Sequence, residues 1–396
     1  MSPDSIKQRL REVHHILKTV WGYRRTFWHL LGRRGFREAI DFILVKLVVS
    51  DEGGEFSVLD PLFRFRPGVL KFPYKVEVEH TTICDKKCVL CEHTYWNEKS
   101  EMLTLEEFRR IVDQFPKLRW INVTGEGSGF LNKDFLKIIR YLRSRRISVN
   151  FVDEFDFVDE KIGRELIELG VNCIWISMDG ATKETYEKIK VGCDFDKVME
   201  NIRRFLELKK KMDSLLPTLC FRFVVNKLNV HEMPKFVELV HSFGDLGDGS
   251  KVEFVSILKF KEIEHLFIPE VSKEIINATV QKAKALNVCV AFSHINEPEL
   301  PPIKYCTAWA EPYIMIGGYV LPCCAVLMSN KRPFLREHSF GKLSEKPFKE
   351  IWDSGRYKKF RQLVPREDGP VPVLCVGCRA FDTRERMKKY GVAKEI

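Results

Sequence analysis

The sequence predicts an α/β protein built on a parallel sheet, and three observations carry that prediction. Strand-like and helix-like runs alternate from residue 75 to about residue 292, the signature of repeated βα units. The turns after those strand-like runs hold the distinctive residues, first cysteines and then glycines with an acid, and parallel barrels gather their chemistry at the C-terminal strand ends. A chain of 396 residues has room for such a sheet and one or two smaller units.

The N-terminal region, residues 1–70, reads as a basic helical arm. Residues 1–50 hold ten Lys or Arg against four Asp or Glu, within a net charge of +10 for the whole chain. Ile6, Leu10, Val13, Leu17 and Val20 recur at helical spacing, with Asp4 or Ser5 as N-cap, and Trp21, Tyr23, Phe27, Trp28, Phe36 and Phe42 follow. A basic amphipathic arm of this kind can dock on its own catalytic domain, lie on an anionic membrane surface or bind an acidic partner. An apolar connector follows, with Val58, Leu59, Leu62, Phe63, Phe65, Val69, Leu70 and Phe72. The first residues show no uninterrupted apolar run of a secretory signal. The longest apolar stretch, residues 42–49, is short and interrupted by Lys46, so no bilayer span is expected. Twelve cysteines without a signal peptide fit reduced thiols in a cytoplasm, where metal or cluster ligation outranks disulfides.

Within the sheet region the candidate strands are residues 75–80, 120–124, 147–152, 173–178, 218–225 and 252–258. Helical patterns between them cover residues 105–112, 133–143, 161–169, 198–209 and 232–243. Just past the first strand stand Cys84, Cys88 and Cys91, spaced by three residues and then two. Three thiolates on one loop can hold three corners of a 4Fe-4S cube and leave one iron without a protein donor. A zinc site, with His93 as fourth ligand, and a disulfide pair are the other readings of the triplet.

At these residues the chain resembles the radical S-adenosylmethionine (SAM) enzymes, whose signature is this triplet after the first barrel strand. The resemblance implies a partial (β/α)6 TIM-like barrel over residues 71–295. It also implies that SAM chelates the open iron through its amino and carboxylate groups, is reductively cleaved, and yields a 5'-deoxyadenosyl radical that abstracts a substrate hydrogen. Thr124, Gly125 and Glu126 follow the second strand where the family has Gly-Gly-Glu, and Glu126 is the expected partner of the SAM amino group. Ser177 and Asp179, after the fourth strand, resemble the family's Ser-x-Asp-Gly stretch and are expected near the SAM ribose or carboxylate. Asp179 is equally suited to cap the helix beginning near Thr182. Asn226 and Asn229 resemble an Asn-x-x-Asn segment that lines the cofactor pocket, with a turn-forming role as the alternative. Two departures stand out: Val89 and Leu90 lie where an aromatic residue often flanks adenine, and the third strand ends Val152, Asp153, Glu154 in place of Thr-Asn-Gly.

Residues 296–396 resemble the SPASM or twitch extension of many radical SAM enzymes, through Cys306, Gly318, Cys323, Gly341, Phe348, Ile351, Trp352, Cys375 and Cys378. Cys306, Cys323, Cys375 and Cys378 are then expected to hold a second, auxiliary 4Fe-4S cluster, with Cys324 as alternative to Cys323 and zinc as alternative to the cluster. Cys173, Cys193, Cys220, Cys289 and Cys324 lack ligand spacing and read as core residues. No residue is singled out as a hydrogen donor or acceptor.

The sequence says least about the substrate. The basic aromatic arm favours a membrane-associated lipid, modified at an alkyl carbon by a protein that is cytoplasmic or peripheral at the inner face of the membrane. A peptide or protein substrate is the alternative, and an RNA-modifying or non-catalytic metal-binding role ranks below both. Reduced ferredoxin or flavodoxin is the expected electron donor.

Overall fold

The computed structural model describes residues 20–48, 66–258, 260–295, 305–328, 330–378 and 383–396. The helix read over Ile6 to Leu17 and the connector from Val58 to Phe65 lie outside the described residues.

Seven parallel strands form the body of one sheet: β1 (Lys75–Glu79), β2 (Trp120–Thr124), β3 (Ser148–Asp153), β4 (Cys173–Ser177), β5 (Thr218–Val225), β6 (Val252–Ser256) and β7 (Val290–Ser293). They lie side by side in chain order, and β8 (Tyr313–Met315) extends the sheet beyond β1 in parallel, with β9 (Tyr319–Leu321) returning antiparallel to it. This is the open parallel architecture of a partial barrel. The six strands read from sequence agree to within two residues at either end. The short, half-exposed β7 and the β8–β9 hairpin are additions, too brief to stand out as periodic runs.

The arm supplies α1 (Arg24–Arg34) and α2 (Phe36–Val48), and the outer face of the sheet is covered by α3 (Leu105–Val112), α4 (Phe135–Ser144), α5 (Glu160–Leu169), α6 (Lys183–Ile189), α7 (Phe195–Lys211), α8 (Met233–His241) and α9 (Lys273–Leu286). Their starts are written into the sequence. Thr104 and Glu107 form a capping box on α3, and Asp159, Thr182, Asp194 and Ser272 accept backbone N–H groups at the heads of α5, α6, α7 and α9. One strand parity faces these helices: Val76, Val78, Ile121, Val123, Val149, Phe151, Ile174, Ile176, Phe221 and Phe223 are buried with Phe108, Phe135, Ile139, Phe205 and Phe236 in one core. Each such side chain contributes about 1.5–3 kcal/mol by burial.

The other parity lines the lumen and mixes polar with apolar side chains, Cys173, Trp175 and Cys220 clustering there with Val152. Glu77 pairs in register with Asn122, and Asn122 with Asn150. Ser177 pairs with Arg222, and Arg222 with Glu253. Arg222 donates to Glu253 (3.0 Å) and lies 4.9 Å over the Trp175 ring.

Helices α1 and α2 pack at the N-terminal ends of the strands. Leu30, Ala39 and Phe42 cluster with Leu216, just before β5, and Val45 packs on Trp120, the first residue of β2. Arg25 pairs with Asp245 (2.7 Å), Arg33 with Asp213 (2.8 Å), and Arg34 donates to Glu168 O (2.9 Å). Much of the arm's charge is thus directed at the barrel itself. Trp21, Trp28 and Phe36 stay mostly exposed. Among the described residues no helix is long and apolar enough to cross a membrane.

The C-terminal region adds α10 (Arg332–His338), α11 (Phe348–Asp353), α12 (Gly355–Leu363), α13 (Arg384–Tyr390) and a two-stranded ribbon of β10 (Val371–Pro372) and β11 (Val392–Ala393). Trp309, Trp352, Tyr357 and Phe360 are buried there and continue the core of the barrel.

Candidate active site

The loop after β1 carries Cys84, Cys88 and Cys91 and is anchored from several sides. Lys87 N donates to Val191 O (2.9 Å) and Val89 N to Ile189 O (2.8 Å), which ties the loop to the segment after α6. His93 Nε2 meets Thr82 O at 2.8 Å, and Thr94 Oγ1 donates to Cys88 O at 2.8 Å. Lys86, almost fully buried, pairs with Asp156 and Asp85, each at 2.6 Å. Burial opposes the charge on Lys86, yet the hydrogen bonds of these two carboxylates outweigh it and raise the pKa above the ordinary lysine value.

The three thiols act on one another. Burial raises the Cys84 thiol, and the Cys88 charge adds to it; Cys91 is pushed up to about 12, first by burial and then by Glu126. Thiols so raised bind as thiolates only with a compensating charge, which an iron cluster provides. Cys193, read from sequence as a core residue, hydrogen-bonds with Cys88, and that contact lowers the Cys88 thiol.

The turn after β2 is pressed against this loop. A Cβ on Gly125 would lie 2.2 Å from Thr81 O, and one on Gly127 2.4 Å from Ile83 O, so backbone approaches backbone where only glycine fits. Ser128 N donates to Ile83 O (2.8 Å). Thr124 Oγ1 and Glu126 Oε2 are buried without a hydrogen-bond partner, as are Ser128 Oγ and Asn150 Oδ1. Buried polar atoms are normally satisfied, so these orphans, three at the end of β2 and its turn and one, Asn150, midway along β3, fit a polar ligand. Burial, with Glu79 next, raises Glu126 to about 8.

Across the lumen, Ser177 accepts a hydrogen bond from the Lys190 ammonium (2.5 Å), and that ammonium pairs with Asp179 (3.3 Å). Burial works against the charged lysine, but Asp179 and then Cys88 hold its pKa well above the ordinary value. The sequence pointed to Ser177 and Asp179 and missed Lys190. Its lysine code among surface lysines gave no sign that it would be buried.

Asp179 does not cap α6. Thr182 fills that role, while Asp179 Oδ1 accepts from Val224 N (2.7 Å). Asn226 is wholly buried in its own turn: Oδ1 accepts from Leu228 N (2.9 Å) and Nδ2 donates to Val224 O (2.9 Å). Asn229 Nδ2 donates to Asp179 O (3.0 Å). The cysteine loop thus lies between the turn of Thr124, Gly125 and Glu126 and the group of Ser177, Asp179 and Lys190, with Asn226 behind Asp179.

A second gathering of thiols lies in the C-terminal region. Cys323 is raised well above the ordinary thiol value by burial and then by the charges of Cys306, Cys375 and Cys378; Cys375 is raised by burial, Cys306 and Cys378. Residues 375–378 form a tight turn, with Cys378 N donating to Cys375 O (3.1 Å). These four thiols are near enough to act on one another's charge and match in number the donors of a fully ligated cluster, while among the described residues no three metal-ligating side chains are gathered as a metal site.

A partial barrel with a three-cysteine loop at its mouth, a glycine turn against that loop and a separate four-thiol centre defines a SAM-dependent iron–sulfur enzyme. Comparison with known proteins agrees: the radical SAM superfamily matches residues 78–240, and the SPASM iron-sulfur cluster-binding domain matches residues 306–379. The chain belongs to the radical SAM superfamily, carries a C-terminal SPASM domain, and uses SAM and two iron–sulfur clusters. It is 23% identical to the tungsten-containing aldehyde ferredoxin oxidoreductase cofactor-modifying protein of Pyrococcus furiosus, over 78% of this chain and 88% of that one. It is 24% identical to the AdoMet-dependent heme synthase of Methanosarcina barkeri, over 78% and 91%. Its fold is similar to Streptococcus suis SuiB bound to precursor peptide SuiA, with a TM-score of 0.57 and 14% identity over 83% and 76% of the two chains.

Proposed function

We propose that this radical SAM enzyme modifies a polar substrate, a peptide or protein segment, admitted to the lumen from the C-terminal ends of the strands. The observation that carries this reading is the polar part of the lumen, where Glu77, Asn122, Asn150, Arg222 and Glu253 share one sheet face, beside the apolar cluster of Cys173, Trp175 and Cys220. An alkyl chain inserted there would strip water from charged and amide groups and give nothing back. A peptide offers carbonyls, amides and charged side chains to meet them, and SuiB, of the same fold, is known with a peptide bound.

When bound, the reduced cluster and SAM supply the 5'-deoxyadenosyl radical that takes a hydrogen atom from a substrate C–H bond. Cys84, Cys88 and Cys91 would hold the cluster that binds SAM, and Cys306, Cys323, Cys375 and Cys378 the auxiliary one. Glu126 Oε2, buried without a partner, would accept from the SAM amino group, with Thr124 and Gly125 beside it. Ser177, oriented by Lys190, serves the carboxylate or ribose. Asp179 and Asn226 hold the turns behind Ser177. Reduced ferredoxin or flavodoxin is the proposed source of electrons.

The lipid reading draws on the exposed Trp21, Trp28 and Phe36 of α1 and α2. Those helices sit at the strands' N-terminal ends, so a membrane held there would face away from the cysteine loop. The experiment incubates the anaerobically reconstituted enzyme with SAM, reductant and either peptide or lipid extracts, and reads mass changes together with flotation on anionic vesicles. Modified peptides without flotation support the proposal; modified lipids with flotation overturn it.

A further inference from the structure

Arg332 opens α10 in the C-terminal region, yet its guanidinium, 3% exposed, lies at the top of β1. Nη1 and Nη2 donate to the two carboxylate oxygens of Glu79, each at 2.8 Å, and Nε donates to Glu98 at 3.2 Å. Nη1 also stands 3.9 Å from Glu126 Oε1, and the group covers the Trp96 ring at 4.8 Å. Glu79 precedes the three-cysteine loop and Glu98 follows it, so one cation brackets that loop and reaches the glutamate beside it. The segment leading to Arg332 is in turn fastened to the auxiliary centre. Asn330 Nδ2 donates to Val326 O (3.0 Å) and to Leu374 O (3.1 Å), and Leu374 adjoins Cys375.

Three carboxylates, those of Glu79, Glu98 and Glu126, converge on this guanidinium; Glu98 has Arg336 as a second partner (3.0 Å). Without Arg332 the wholly buried Glu79 would keep only the hydrogen bond from Ile316 N and stand uncompensated beside Glu126, whose Oε1 would lose the cation 3.9 Å away that holds it in place. We propose that Arg332 is a positioning residue through which the C-terminal iron–sulfur domain sets the affinity of the barrel for SAM. The inference rests on the reading of Glu126 as the partner of the SAM amino group.

The test is equilibrium dialysis of SAM against the full-length, anaerobically reconstituted enzyme, with iron counted in every variant and the EPR signal of the reduced enzyme recorded with and without SAM. R332M is expected to weaken SAM binding by roughly tenfold or more, because it leaves a buried charge unpaired. R332K, which keeps the charge and loses the planar fork, is expected to fall between R332M and the wild type. The double variant E79Q/R332M removes the buried pair from both sides and is expected to recover most of the affinity at unchanged iron content; a merely structural role would instead move iron content along with SAM affinity in R332M. Wild-type affinity in R332M, or a double variant as weak as R332M, overturns the proposal. Should R332M fail to retain its iron, the double variant decides: SAM affinity within a few-fold of wild type supports the proposal, and a tenfold loss overturns it. E126Q separates the underlying reading. If E126Q binds SAM normally, the role of Glu126 fails; if E126Q is weak and R332M normal, only the role of Arg332 fails.

Discussion

Replacing Lys190 by methionine removes the one cation that Ser177 and Asp179 share. The Lys190 ammonium is buried, lies 2.5 Å from Ser177 Oγ and 3.3 Å from Asp179 Oδ2, and sits 4.0 Å from Glu154. Asp179 is 2% exposed, so K190M strands a carboxylate away from water. Breaking a buried pair from one side costs about 3–5 kcal/mol. Here Asp179 keeps the hydrogen bond from Val224 N at 2.7 Å, which places the expected loss near the lower end, about 3 kcal/mol. K190M/D179N removes the charge on both sides while the Asn oxygen still accepts from Val224, so it should regain most of that loss. Urea unfolding of the wild type, both single variants and the double variant, followed by tryptophan fluorescence under anaerobic conditions, completes the cycle. A K190M midpoint equal to the wild type's, or a double variant no more stable than K190M, refutes the reasoning.

Further outcomes follow from the same geometry. A carboxyl that titrates at about 8 is neutral below that pH, so Glu126 gains its charge only as pH rises; SAM affinity should climb between pH 7 and 9, and E126Q should bind weakly with a flatter profile. In G127A the new Cβ meets backbone at 2.4 Å, and a shift costing about 1–3 kcal/mol should separate the glycine turn from the cysteine loop, read as lost SAM binding in dialysis. C323A should lose about four irons per chain on reconstitution and C324A none, because the thiols of Cys306, Cys375 and Cys378 act on Cys323; equal iron in the two variants would contradict that assignment.

The sheet was legible because strand-like runs alternate with helical stripes along the chain, although β4, Cys173–Ser177, is apolar on both faces save its last residue. The strand β7, half-exposed throughout, and the three-residue strands β8 and β9 carry too few residues to establish a period. The triplet Cys84, Cys88 and Cys91 was legible for a different reason, since all three stand on one short loop. What could not be read was pairing across long separations. Lys190 is one of many lysines until β4 and its loop bury it, and Arg332 meets Glu79 across 253 positions. Asp179 was weighed as a helix cap or a cofactor contact, whereas it binds Val224 from the adjoining strand; Asn226 takes the turn-forming role that the sequence offered as an alternative.

The central claim is that Cys84, Cys88 and Cys91 carry the cluster at which SAM is cleaved, apart from the four-cysteine centre. Its most direct measurement compares the wild type with a C84A/C88A/C91A variant, both reconstituted anaerobically, assayed for iron and given SAM with dithionite. The account predicts 5'-deoxyadenosine from the wild type alone and about half of its iron in the variant. Formation of 5'-deoxyadenosine by the variant, or zinc in place of iron at the triplet of a wild type that forms none, would contradict it.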